Sequence, residues 1–162
     1  MIHVGIDPGL SGAVAILKED GKLEIYDIPL IAKGVPDLRG LADIFKKISE
    51  QEHFVVMEDV HAIPGAGAMQ CFNFGAIVGA KRALLEAFHL RYARVAPKTW
   101  QKQMWVGVEN LKKPDGKNDT KAMSLVAATR LFPNETFLKS KDGRVDAALI
   151  ALYAKFTFGG NN

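Results

Sequence analysis

Four acidic side chains stand where their chemistry needs an explanation. Asp7 closes a short alternating run, Glu58 closes a wholly apolar one, and Asp142 and Asp146 open an apolar stretch four residues apart. Ile2, Val4 and Ile6 alternate with His3, Gly5 and Asp7, the two-residue period of a strand. Pro8 and Gly9 then break it. Asp7 thus ends a central strand and points away from the Ile2, Val4 and Ile6 face. Two roles fit it there. One is a turn aspartate that bonds its own backbone before glycine; the other is a metal ligand at the lip of a sheet, where open α/β folds place their ligands.

The elements that must position these acids can be read from pattern. Residues 54–57 are Phe-Val-Val-Met, a run ending on Glu58 that suits a parallel strand covered on both faces. The run follows a helix, so a right-handed crossover sets it parallel to the first strand. As neighbours, the two strands bring Glu58 to the same rim as Asp7. Two carboxylates on one rim are costly unless a cation neutralises both. Asp59 points the other way and is the weaker candidate. Asp142 and Asp146 share one face of a helix over residues 142–156. Its body from Ala147 onward is apolar nearly all round, so it packs against the sheet. That packing carries Asp146, one turn in, towards the interior, where a carboxylate must be paired or metal-bound. Asp142 serves equally well as the helix N-cap or as a ligand.

Gly12 opens a second apolar strand over Ala13–Leu17, and Asp20-Gly21 signals a hairpin into a third over residues 22–28. The chain therefore begins with a three-stranded antiparallel meander, followed by a connection over residues 29–36. Asp37 caps a helix with Leu38, Leu41, Ile44, Phe45 and Ile48 at helical spacing. Residues 61–67 form a loop and residues 69–88 a long helix. In that helix Gly75 and Gly79 admit another helix closely, from this chain or from a second copy. Residues 90–96 alternate as a fifth strand. Pro97 starts a short helix in which Trp100, like Trp105 beyond it, is a candidate core residue. Asp119 caps a helix from Thr120 to Leu131. Lys121 in its first turn runs against the helix dipole, which a bound phosphate would explain.

The 162 residues suit one domain, residues 1–162, and a hydrophobic share of 48% with 24% charged is ordinary for a soluble protein. A single cysteine, Cys71, excludes a disulfide framework and a zinc cluster; it reads as a small buried hydrophobe. Lys81, Arg82 and Glu86 interrupt the apolar stretch over residues 74–90, so no membrane span is expected. The opening residues read as a strand and not as a leader, and a cytoplasmic protein is expected. Net charge is +3, unevenly spread: residues 1–80 carry 6 Lys/Arg against 11 Asp/Glu, and residues 81–121 carry 10 against 4. A cationic half beside an acidic one suits a polyanion bound next to a carboxylate metal site. It also suits two solvated faces of an enzyme that never meets nucleic acid. Lys98, Lys102, Lys112, Lys113 and Lys117 fall around a flexible segment at residues 107–118, as a phosphate-tracking loop requires.

In order and spacing these pieces resemble the RuvC-type Holliday junction resolvases of the ribonuclease-H-like superfamily. The matching motifs are GIDPGLSG, VVMEDVHAIPGAGAMQCFNFGAIVGA, VAPKTWQK, a basic loop and helix, and DGRVDAALIALYA, spread over essentially the whole chain. The resemblance implies an α/β fold with a five-stranded mixed sheet, three strands antiparallel and two parallel, flanked by helices. It also implies a homodimer that resolves four-way DNA junctions in recombination and repair by paired symmetric nicks. Asp7, Glu58 and Asp146 match the family's metal-binding carboxylates. Bacterial members carry their last two acids three apart, whereas residue 143 here is glycine and Asp142 stands four before Asp146. Asp142 is retained as the fourth ligand.

His61 takes the place of an aromatic that stacks at the junction centre, or it is an ordinary loop histidine. Lys98, Lys102 and Lys121 fall where the family keeps basic residues near phosphates. The short length and varied loops resemble phage or otherwise divergent members. The chemistry implied is phosphodiester hydrolysis with two Mg²⁺ ions, Mn²⁺ substituting, because carboxylates are hard ligands. A broader branched- or flap-DNA endonuclease, a ribonuclease-H-type nuclease and a catalytically silent junction-binding module share much of this pattern. An actin-like kinase or ATPase shares the opening hairpin but ordinarily needs two such domains.

Overall fold

Strand β1 (Ile2–Ile6) lies at the centre of a five-stranded sheet, in a computed structural model that describes residues 1–61 and 65–160. It pairs antiparallel with β2 (Ala13–Leu17), which pairs antiparallel with β3 (Leu23–Asp27). The expected meander is therefore present. Residues 29–36, expected to be a plain connection, contain a small separate hairpin of β4 (Leu30–Ala32) and β5 (Val35–Pro36). Helix α1 (Leu38–Ser49) follows, its N-cap Asp37 accepting from the amides of Arg39 and Gly40. Strand β6 (His53–Glu58) then adds to β1 in parallel. Of the expected loop over residues 61–67, residues 62–64 lie outside the described residues.

Helix α2 (Ala68–Ala87) leads to β7 (Tyr92–Val95), which pairs in parallel with β6 and completes the order β3-β2-β1-β6-β7. Three helices remain: α3 (Pro97–Met104), α4 (Thr120–Leu131) and α5 (Asp142–Phe158). Asp119 caps α4 by accepting from the amide of Ala122. This is a ribonuclease-H-like α/β arrangement, a mixed sheet flanked by helices. Among the described residues no helix is long and apolar enough to cross a membrane.

Helices cover both faces of the sheet. One core joins α3, α4 and α5 to Ala13, Ala15 and Val56; the other joins α1 and α2 to Val4, Ile6, Val14 and Val55. The alternation in β1 therefore does not mark a wet face, because all five of its residues are buried. Gly5 shows why. A Cβ there would overlap the Ala147 carbonyl and the Ala151 amide, so α5 lies directly on the strand. The start of α5 is also fastened to the end of β3, where Asp27 pairs with Lys141 at 3.1 Å and with Arg144 at 3.6 Å.

Two further expectations need correction. Lys141, not Asp142, occupies the N-cap position of α5, and its side chain makes no capping bond. Asp142 stands in the first turn, where an acid suits the helix dipole without capping it. Residues 107–118, expected to be flexible, are held by a bridge between Lys112 and Asn118 and by Lys113 N–H donating to the Lys117 carbonyl at 2.8 Å.

His3 is only 5% exposed, and neither ring nitrogen has a hydrogen-bond partner. Burial lowers its pKa, and the charges of Lys155 and the N-terminal amine lower it further, against Glu19. The unfolded chain takes up this proton near pH 6.5 while the folded chain resists it, so His3 costs stability as pH falls below about 6.5. His3→Leu should lose less stability than the parent between pH 7.5 and pH 5.5, by about 1 kcal/mol. Urea unfolding at the two pH values measures the difference.

Candidate active site

The register that pairs Ile6 with Met57 places the next residue of each strand, Asp7 and Glu58, side by side on one rim of the sheet. The first turn of α5 closes over that rim. A Cβ at Gly143 would overlap the Ser11 carbonyl and lie 2.6 Å from Gly12 Cα and 3.1 Å from Asp7 Oδ2. The helix can approach Asp7 only because residue 143 has no side chain. An acid three before Asp146 therefore has no space in this chain, which accounts for the departure at that position. Beside Asp142 a cleft of about 390 Å³ opens, lined by Leu10, Ser11, Gly12, Ser140 and Lys141 among others.

Burial dominates the electrostatics of the acids, and they act on one another. Burial raises the pKa of Asp7; the Gly9 amide, donating to Oδ1 at 3.1 Å, and the charge of Lys81 oppose it, while Asp142 adds to it. Glu58 is pushed up to about 7 by burial and the charge of Asp7, against the indole of Trp100, whose Nε1 donates to Oε1 at 2.9 Å. Burial likewise pushes Asp146 up to about 7, with Ser124 opposing and Asp7, Glu58 and Asp142 adding. All four acids therefore share one electrostatic neighbourhood. Asp142 alone has a cationic partner, an ion pair with Lys121, which raises the lysine's pKa.

The donor set suits a hard divalent cation. Asp146 Oδ1 is buried and, among the described residues, has no hydrogen-bond partner to offset its desolvation. Carboxylate oxygens are the ligands Mg²⁺ and Mn²⁺ take. Among the described residues, however, no three acidic, histidine or cysteine side chains stand close enough together to hold one ion. The acids converge without closing into a cage.

The other expected residues separate by position. Asp59 pairs with Arg94 at 3.5 Å. His61, Lys98, Lys102, Lys112, Lys113, Lys117 and Lys121 are exposed. Lys98 and Lys102 ride on α3, whose Trp100 holds Glu58, so one short helix links two basic side chains to the acidic rim. Cys71 is half-buried, with only the Ala66 carbonyl near its sulfur at 3.9 Å.

Sequence reasoning missed Lys81, treating it as a break in an apolar stretch. It is fully buried, and Nζ donates to the carbonyls of Pro8 at 2.7 Å and Gly9 at 2.9 Å, with that of Asp7 at 3.4 Å. Burial pushes this lysine down to about 7, with Asp7 pulling it back up. The visible signal was its place four residues from Ile77 and from Leu85, the two buried apolar residues of the same helix.

The strand order and flanking helices are those of a ribonuclease-H-like fold. RuvC of Thermus thermophilus shares it: the structure in complex with Holliday junction substrate matches with a TM-score of 0.60 and 14% identity, over 97% of each chain. A second Thermus thermophilus RuvC structure matches at 0.57 and 17% identity, over 98% of this chain and 97% of that one. The likeness is one of fold. No family model matches the chain, and no curated protein sequence does.

The raised carboxyls carry a stability cost of definite sign. Their favourable protonated form is fully present below about pH 4, where unfolded carboxyls are also protonated, and is lost as pH rises through 7. Asp146→Asn, neutral at every pH, should raise the stability of metal-free protein at pH 8 by roughly 1–3 kcal/mol and flatten its decline between about pH 4 and pH 7. Urea unfolding in chelator checks both. Gly143→Ala should instead destabilise by roughly 1–3 kcal/mol through overpacking. A melting temperature equal to the parent's would contradict the close approach of α5 to Asp7.

Proposed function

We propose that this protein is a metal-dependent, structure-selective endodeoxyribonuclease that resolves four-way DNA junctions by paired symmetric nicks. The observation that carries the reading is the convergence of Asp7, Glu58, Asp142 and Asp146 on one rim, with Glu58 and Asp146 raised by burial and one Asp146 oxygen unpartnered. These four are the candidate ligands for two Mg²⁺ ions, with Mn²⁺ as a substitute, and would have to draw closer together than they stand here to hold them. When bound, the ions supply an activated water and stabilise the leaving oxygen.

The chain's own groups do the rest. The Trp100 indole fixes the orientation of Glu58, and the Gly9 amide fixes that of Asp7. Lys121 pairs with Asp142, and its ammonium would be free to meet a phosphate were a cation to hold that carboxylate instead. Lys98 and Lys102, with Lys112, Lys113 and Lys117, grip the DNA backbone without reading bases. His61, exposed where β6 ends, stacks at the branch point.

Two nicks require two rims, and a homodimer supplies them by symmetry. The surface of α2 favours a second copy: Gly75 and Gly79 have open space where a Cβ would stand, and Met69 and Phe72 are 72% and 73% exposed. Asp7→Asn should reduce cleavage of a synthetic four-way junction by at least about 10³-fold, leaving junction binding within a few-fold. Paired symmetric nicks in Mg²⁺ or Mn²⁺ support the reading. Preference for flaps or RNA–DNA hybrids would move it to a broader branched-DNA or ribonuclease-H-type nuclease. Binding without cleavage in Mn²⁺ would leave a junction-binding module.

A further inference from the structure

We propose that Lys81 is a positioning residue of the acidic site, holding the turn after β1 so that the Asp7 carboxylate is set to receive a divalent cation. The proposal rests on the nuclease reading above and deepens it.

A lysine in a protein interior is expensive unless its charge and all three donors are met. Lys81 is fully buried and, among the described residues, forms no ion pair with a carboxylate. Its partners are instead three successive main-chain carbonyls, those of residues 7, 8 and 9. Three donors meet three acceptors. The same turn uses its N–H groups differently. Gly9 N–H donates to Asp7 Oδ1 at 3.1 Å, Gly12 N–H to the Gly9 carbonyl at 3.1 Å, and Asp7 N–H to the Ala13 carbonyl at 3.1 Å. The turn is thus bracketed, with a carboxylate on an amide and an ammonium on the carbonyls. The Pro8–Gly9 peptide stands between the two charges, its carbonyl on the ammonium and its N–H on the carboxylate.

The helix delivers this ammonium with little freedom. Ile77, Lys81 and Leu85 are the buried residues of α2, spaced by four. The two apolar neighbours, one turn to either side, anchor the face from which the lysine reaches the turn. Nothing in this arrangement touches a substrate, because Nζ lies beneath the turn and the acids lie at the rim. Without the ammonium, the carbonyls of Asp7 and Pro8 lose the Lys81 donor, that of Gly9 keeps only the Gly12 N–H, and the turn must relax. Displacement of a reacting or ligating group by about 1 Å is worth on the order of 10²-fold in rate.

The test uses Lys81→Met, which keeps the stem and removes the donors and the charge. Calcium binding is read by calorimetry, junction binding by gel shift, and cleavage in Mn²⁺ by kcat and KM. The expected result is a folded variant with junction affinity within about threefold of the parent, Ca²⁺ affinity weakened about tenfold, and kcat lowered about 10²-fold at unchanged KM. In a Cys71→Ala background, Lys81→Cys aminoethylated before refolding restores an ammonium at nearly the same reach and should recover both Ca²⁺ affinity and kcat.

A folded Lys81→Met protein with parental or tighter Ca²⁺ binding and parental kcat overturns the proposal, leaving Lys81 a purely structural latch. If that variant does not fold, the ¹⁵Nζ resonance of Lys81 in the parent decides. A shift that tracks Ca²⁺ occupancy supports the proposal, and a resonance unmoved at saturation overturns it. A parent that binds neither Ca²⁺ nor Mn²⁺ overturns the nuclease reading and this proposal together. A parent that binds and cleaves beside an unimpaired variant overturns this proposal alone.

Discussion

The seam between α5 and the β1 edge is the constraint on which the rest of the molecule depends. Backbone meets backbone there, with Gly5 beneath Ala147 and Ala151, and Gly143 against Ser11 and Gly12. Close approach of a helix to a strand requires residues without side chains at the contact. Where it is achieved, the ends of both elements are fixed relative to each other with little latitude. Asp7 at the end of β1, Glu58 at the end of β6 and Asp146 one turn into α5 are thereby drawn to one rim, although 139 positions separate the first acid from the last. A more loosely packed helix would leave Asp146 free to hydrate, and its pKa would have no reason to rise.

The same packing makes the rim costly. Burial lifts Glu58 and Asp146 to about 7, where an isolated carboxyl would ionise near 4. Groups perturbed in this way concentrate where chemistry is done, and they reduce stability to the extent that they are charged and unpaired. The chain meets part of the cost internally, through the Trp100 indole on Glu58, the Gly9 amide on Asp7 and the Lys121 ammonium on Asp142. One oxygen of Asp146 is left without any such partner.

Much of this was legible in the sequence because it depends on local pattern. The caps at Asp37 and Asp119 follow from short polar side chains preceding amphipathic or apolar runs. The meander follows from the Asp20-Gly21 turn, and the parallel placement of β6 from the handedness of a crossover. What escaped depends on tertiary packing. The alternation of β1 distinguished two faces without saying what covers the second: Gly5 is where α5 sits, and His3 is buried beside it. Lys81 looked like an interruption because a buried lysine differs from a solvated one only in what surrounds it. Asp142 fitted the cap and the ligand equally because the spacing of charges cannot say which residue starts the helix. The β4–β5 hairpin is too short, and too poor in alternating residues, to leave a strand signature.

The seam between α5 and the sheet is built from different material than the filling around it. Towards α5 the contact is small residues on backbone, with Ala147, Ala148, Ala151 and Ala154 all fully buried. Towards α1 and α2 the filling is large side chains, among them Leu41, Phe45, Ile48 and Leu85. Branched side chains can exchange shape with their neighbours at modest cost, whereas a methyl group added to a backbone contact has nowhere to go. The two parts of the interior therefore age differently under mutation: the side-chain filling can drift through many hydrophobic combinations, while the seam that positions the acids is held to its smallest residues.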